Sequence, residues 1–247
     1  MECKKSIISN NSSHLKTIDD RLNNPKLSKL EKTQRKVFID IVKKLPLDNG
    51  KVLSLSCGNG VWDYLLCENN SSVNEMTATD IVNCPVSIED QGMLKEYCDW
   101  NFVKVKPSER LPFEENSFDF IFHHDVIEHT EHPYKFLKEQ FRVLNKGGTL
   151  LCGTPNLFRP GNIIKLLSGR LKFPVKIGYN EEIGDYIHVQ EFHEQQLKLL
   201  LREVGFTDIK VKHCYFGLSF TNICFSMYPK NNLGKSVSHF LIFTGKK

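Results

Sequence analysis

Cys57-Gly58-Asn59-Gly60 stands between a short apolar run and a helical pattern, and Asp80 follows Gly60 by about twenty residues. Val52, Leu53 and Leu55 read as a buried strand, and Val61, Trp62, Leu65 and Leu66 recur at helical spacing. A glycine turn between strand and helix lets backbone come close to a ligand that a Cβ would hold off. A carboxylate at Asp80 can accept hydrogen bonds from two neighbouring hydroxyls, as on a ribose. The third glycine of the dinucleotide fingerprint is missing, because Trp62 and Asp63 occupy the later positions. That argues against nicotinamide chemistry.

Histidines supply the remaining reactive groups. His123, His124 and His129 follow a fourth strand pattern, Phe118 to Phe122, while His188 and His193 come after an irregular stretch. Imidazole titrates near neutrality, so each could take a proton from a hydroxyl. His193 precedes a helix where a capping residue is usual, and capping is its expected role. Glu128 reads as a helix-start or solvated acid. Eight cysteines contain no C-x-x-C pair and no zinc-ligand spacing, so no metal site is expected.

The elements that must hold these groups alternate. Residues 1–24, rich in Ser, Asn and Lys, read as a flexible arm before a domain over 25–247. Leu27 to Leu45 predicts a helix, Glu75 to Thr79 a strand, Ile88 to Tyr97 a helix and Asn101 to Val105 a strand. Glu131 to Leu144 predicts a helix ended by Gly147-Gly148, with a fifth strand over Thr149 to Cys152. Residues 156–192 break the alternation and read as a lid or substrate insertion. Arg159, Arg170, Lys172 and Lys176 lie there near Phe158, Phe173 and Tyr179, and could grip a phosphate. Leu197 to Val204 predicts a helix capped by Gly205, Phe206 to Lys212 and Ser238 to Thr244 late strands, and Leu218 to Tyr228 a helix.

VLSLSCGNG, the acid of TATD, LPFEENSFDFIFHHDVIEH and FLKEQFRVLNKGGTLLCGTPN, in this order and spacing, resemble the class I S-adenosylmethionine-dependent methyltransferases of the small-molecule type 11/23 branch. The resemblance spans roughly Val52 to Gly205. It implies a Rossmann-like α/β fold, a seven-stranded, mostly parallel sheet with helices on both faces and an antiparallel final strand. It implies S-adenosylmethionine held by Ser56, Cys57, Gly58, Gly60, Asp80, Ile81, Ser108, Glu109, His123 and His124. His129, His124 and His188 become the candidate catalysts. Ser54 and Ser56 depart from the Asp and Gly usual in the first motif, and Pro107 precedes Ser108 where an acid is common.

The 247 residues carry a net charge of +4, with 40% hydrophobic and 25% charged residues, as in an ordinary soluble protein. HHDV stands where enzymes acting on DNA bases carry an N-P-P-Y-like sequence, so DNA is not expected as a partner. No apolar run could span a bilayer, and no secretory signal opens the chain, so the expected setting is cytoplasmic. The expected activity is methyl transfer to a small molecule, with O-methylation of a sugar, nucleotide-sugar or lipid-linked intermediate first. RNA or protein methylation, or a silent binding protein of this fold, are the alternatives.

Overall fold

The computed structural model describes residues 18–24, 27–47, 50–106, 109–170, 188–215 and 232–247. Pro107, Ser108, residues 1–17 of the expected arm, 171–187 of the expected insertion and the helix expected over Leu218 to Tyr228 lie outside the described residues. The strands are β1 (Gly50–Leu55), β2 (Val73–Asp80), β3 (Asp99–Lys104), β4 (Phe118–His124), β5 (Leu144–Pro155), β6 (Thr207–Cys214) and β7 (Phe240–Lys246). They form one sheet in the order β3-β2-β1-β4-β5-β7-β6. β7 runs antiparallel to both neighbours, and the remaining pairs are parallel. The sheet therefore has its switch point between β1 and β4, the place where open α/β sheets bind ligands.

Side chains alternate across the central strands and build a core on each face. Val52, Phe120, Phe122, Leu151, Phe240 and Ile242 face one layer; Leu53, Ile121, Leu150, Cys152, Leu241 and Phe243 face the other. The first layer is closed by α2 (Lys29–Val42), α3 (Val61–Asn69) and α4 (Ile88–Lys95). The second is closed by α5 (Pro133–Val143) and α7 (Glu194–Val204). Ser28 caps α2 by accepting the Glu31 N–H at 3.1 Å, and Val37, Phe38 and Val42 make its buried stripe. Gly205, at φ 120°, ends α7 as expected.

Two elements differ from the sequence reading. Ile18–Leu22, read as part of the loose arm, is a helix, α1. Ile18 is fully buried and its N–H donates to Asp90 Oδ1 at 2.9 Å, while Arg21 reaches the Asn59 carbonyl at 2.9 Å. The second difference is at β5, which begins at Leu144 instead of Thr149. Leu144 is buried and pairs with Phe118, and the register then jumps so that Phe120 pairs with Thr149. Residues between them bulge outward, with Gly147 at φ 78° and Asn145 Nδ2 donating to Asp119 at 2.6 Å. The glycines shape an excursion inside the strand, not its start.

Candidate cofactor and acceptor site

After β1 the chain turns through Ser56, at φ 54°, and Gly58, at φ 52°, into α3. The Cys57 N–H donates to the Thr79 carbonyl at 2.8 Å, which ties the turn to the end of β2. A Cβ on Gly58 would meet nothing within 4 Å, so this backbone faces open space. Gly60 differs: its missing Cβ makes room for Val86, 3.2 Å away, and Ile18. Gly58 thus borders open space, and Gly60 is a packing glycine. Ser56 carries a left-handed conformation that glycine would hold without strain, a cost of roughly 1–2 kcal/mol.

Asp80 joins the two strand ends. Its Oδ2 accepts the Gly58 N–H at 3.1 Å and its Oδ1 the Ile81 N–H at 2.8 Å. Oδ1 also accepts the Val82 N–H at 3.4 Å, so of the roughly four acceptor positions of a carboxylate about one remains for a hydroxyl. Cys57 is buried and burial pushes its thiol well above the usual range, which rules it out as a nucleophile. Glu109, on the far side, is exposed and pairs with Lys106 at 3.3 Å.

Sequence reasoning noticed the missing acid at Ser54 but not its replacement. Asp63, on α3, is fully buried; Ser54 Oγ donates to it at 2.6 Å and Trp100 Nε1 at 3.0 Å. One carboxylate therefore ties β1, α3 and β3 beneath the glycine turn. Burial raises its pKa from 3.8 to about 6, against the pull of Ser54 and Trp100. An acid whose pKa rises on folding holds its proton more tightly folded than unfolded. Its contribution is most favourable below about pH 4 and declines as pH rises through 6, by on the order of 3 kcal/mol. Asp63→Asn keeps one donor and one acceptor at the site but does not titrate. Denaturant unfolding at pH 4 and pH 7 is expected to show wild type losing stability relative to this variant as pH rises. Parallel behaviour of the two would refute the assignment.

β4 ends in His123 and His124, which point to opposite faces. His123 lies 5.1 Å from the Phe136 ring, 1% exposed, and neither of its nitrogens has a hydrogen-bond partner among the described residues. Burial, then the neighbouring His124, drives its pKa down to about 3. It is a neutral core ring. His124 stacks between Trp62, at 3.9 Å, and Phe240, at 4.7 Å, with Nδ1 3.2 Å from Asp125 Oδ2. A Cβ at Gly153 would come within 2.7 Å of this ring, so the glycine in β5 makes its place. Beside the stack lies a cavity of about 700 Å³, walled by Glu31, Gln34, Trp62, Asp125, Arg159, Lys165, His239 and Phe240.

A second group gathers past the end of β4, where Ile127–His129 forms a single 3-10 turn. Glu128 is fully buried, not solvated, and its Oε2 accepts Thr154 Oγ1 at 2.9 Å. Its backbone carbonyl accepts the Val189 and Gln190 N–H groups at 2.9 and 3.2 Å, which seats the end of the expected insertion. The His129 and His188 rings meet edge to face at 4.9 Å. His188 Nδ1 lies 2.7 Å from Glu191 Oε1. Glu191, not singled out from sequence, is buried and also receives both terminal nitrogens of Arg159 and Asn162 Nδ2. These partners hold its carboxyl below the usual range despite burial. The Arg159 charge is therefore already met within the protein. His193 caps α7, accepting the Gln195 N–H at 3.2 Å, as expected. Of the three candidate catalysts, His129 and His188 come together, and His124 stands apart, turned toward the α2 and α3 layer.

A family model described as a methyltransferase domain matches residues 30–211. The chain belongs to the methyltransferase-domain family. Among curated relatives, a demethylmenaquinone methyltransferase of Staphylococcus epidermidis is 28% identical over 208 residues, covering 78% of this chain and 82% of that protein. One from Geobacillus sp. strain WCH70 is 25% identical over 200 residues, covering 73% and 81%. Among solved structures, a Thermotoga maritima S-adenosylmethionine-dependent methyltransferase, described as a possible histamine N-methyltransferase, superposes with a TM-score of 0.55 at 20% identity, over 86% of this chain and 89% of that one. Haemonchus contortus phosphoethanolamine N-methyltransferase 2, solved with S-adenosylmethionine, gives 0.58 at 14%, over 87% and 52%. At these identities the structures bear on the fold.

The methyltransferase takes S-adenosylmethionine as its cofactor, which supplies an already activated methyl group. The open space over Gly58 and the spare acceptor capacity of Asp80 fit its ribose and methionyl parts. Among the described residues no helix is long and apolar enough to cross a membrane.

Proposed function

We propose that this methyltransferase acts on a hydroxyl of a small polar molecule, such as a sugar, a nucleotide-linked sugar or the polar part of a lipid-linked intermediate. The cavity at the carboxyl edge of the sheet, which sets charged and amide side chains beside aromatic ones, carries this reading. Glu31, Gln34, Asp125, Arg159 and Lys165 offer it donors and acceptors of both signs, and Trp62 and Phe240 offer a flat apolar side. Such a lining suits a ring bearing several hydroxyls. Methyl transfer from a sulfonium needs nucleophile, methyl and sulfur in line, so holding the acceptor is the chief demand. The hydroxyl must also lose its proton, and a positioned base contributes about 10²–10⁴-fold. His124, stacked between the Trp62 and Phe240 walls of this cavity, is the residue proposed for that step.

A second reading takes demethylmenaquinone as the acceptor, from the names of the relatives. A separate cavity of about 630 Å³, walled by Pro133, Tyr134, Leu157, Phe192, Leu199 and Leu200, has the apolar lining such an acceptor would want. Transfer of labelled methyl from S-adenosylmethionine to a panel of glycosides and nucleotide-sugars, beside demethylmenaquinone, separates the two. Labelling of the polar panel is expected. Labelling of demethylmenaquinone alone would replace the first reading with the second.

A further inference from the structure

We propose that Glu128, His129 and His188 form a binding site for a divalent transition-metal ion. One ligand atom from each of the three lies within 4.8 Å of the others. Metal–ligand bonds of about 2.0–2.2 Å hold ligand atoms roughly 3–3.5 Å apart, so the three need to close by about 1 Å. His129 and His188 are only partly buried.

Three observations beyond proximity point to an ion. First, Glu128 Oε1 is buried without a hydrogen-bond partner among the described residues, although Oε2 is satisfied by Thr154. A buried carboxylate oxygen left bare is costly, and a cation would satisfy it. Second, His188 is oriented as metal-bound histidines are. Its Nδ1 sits 2.7 Å from Glu191, so Nε2 would take the metal, in a carboxylate–histidine–metal arrangement. Third, that outer carboxylate is itself fixed by Arg159 and Asn162, and the Glu128 carbonyl anchors Val189 and Gln190. A chain segment distant in sequence is thereby pinned beside the turn that carries the other two ligands.

Two imidazoles and one carboxylate suit zinc or a mid-row ion such as cobalt better than calcium or magnesium. Three protein ligands leave coordination positions open for water or for an oxygen of a bound molecule. The proposal reverses the expectation of no metal, and it stands independently of which acceptor is methylated. C-x-x-C spacing could not have revealed it, because the third ligand lies fifty-nine positions away from the second in the sequence.

The test is calorimetric titration of the chelator-stripped, full-length protein with Co²⁺ and with Zn²⁺, alongside melting curves with and without Co²⁺. One ion per chain is expected, and Co²⁺ is expected to raise the melting temperature. Removing Glu128 can unfold a buried turn, so the variants are His129→Asn and His188→Asn. Each is expected to weaken binding at least ~10-fold and to abolish the Co²⁺ shift, with S-adenosylmethionine affinity kept. No stoichiometric binding to the folded protein, or binding that both substitutions leave intact, would overturn the proposal. Either failure with cofactor binding retained would leave the methyltransferase reading standing.

Discussion

Asp80→Ala is expected to lower the affinity for S-adenosylmethionine by at least ~10-fold, since a hydrogen bond to a charged group contributes about 1.5–3 kcal/mol and one is lost. The loss has a second part that a simple contact picture omits. Asp80 also receives the Gly58 and Ile81 N–H groups, so its removal slackens the turn that faces the ligand. Asp80→Asn separates the two parts. An amide oxygen can still accept from Gly58 but brings no charge to the ribose, so an intermediate affinity is expected. Calorimetric titration with S-adenosylmethionine and S-adenosylhomocysteine reads both variants. Affinity unchanged in Asp80→Ala would remove the ribose from this carboxylate.

The largest expected effect on stability belongs to His123→Leu. Wild-type His123 is buried against Phe136, with its pKa moved from 6.5 down to about 3. Unfolded, the imidazole takes up a proton below about pH 6.5; folded, it does not until about pH 3. Between these values the unfolded state binds the extra proton, so wild type loses about 1.4 kcal/mol per pH unit on acidification, or roughly 5 kcal/mol in all. Leucine has similar bulk and no proton to bind. The variant is expected to match or exceed wild type at pH 7, since it removes two buried nitrogens without partners. Its advantage is then expected to grow steadily toward pH 4 in denaturant titrations. A constant difference across that range would mean that the ring is not held neutral. The sign is opposite to that of Asp63, so the two groups can be told apart in the same experiment.

Much of this was legible because period and punctuation agree. Val52, Leu53 and Leu55 before two glycines, and Asp80 at the expected separation, are local patterns tied to local geometry. The seven-stranded, mostly parallel sheet is what the family resemblance implies, and the structure has it. What escaped depends on contacts between distant segments. Ile18 is helical because Asp90 receives its N–H and Val86 packs beside it, seventy residues on, and nothing in its polar surroundings announces that. Asp63 looked like a missing glycine because the need for an acid under the turn can be met from α3 as well as from β1. Glu128 looked solvated because a charged residue next to histidines usually is; the 3-10 turn rolls it inward onto Thr154. Glu191 carries no motif at all, and its partners Arg159, Asn162 and His188 are brought to it only by the folded chain.

The order of the strands has a consequence for how the chain is made. β6 joins the sheet only through β7, which follows it in the chain. As the polypeptide leaves the ribosome, β1 to β5 can assemble on one another while β6 still lacks its native partner. Until Phe240–Lys246 emerges, β5 also keeps an open edge carrying Leu151 and Cys152. An exposed strand edge during synthesis is where wrong pairing begins. β7 is the strand that seals this part of the sheet, so the nascent chain is most vulnerable to wrong pairing until β7 has emerged.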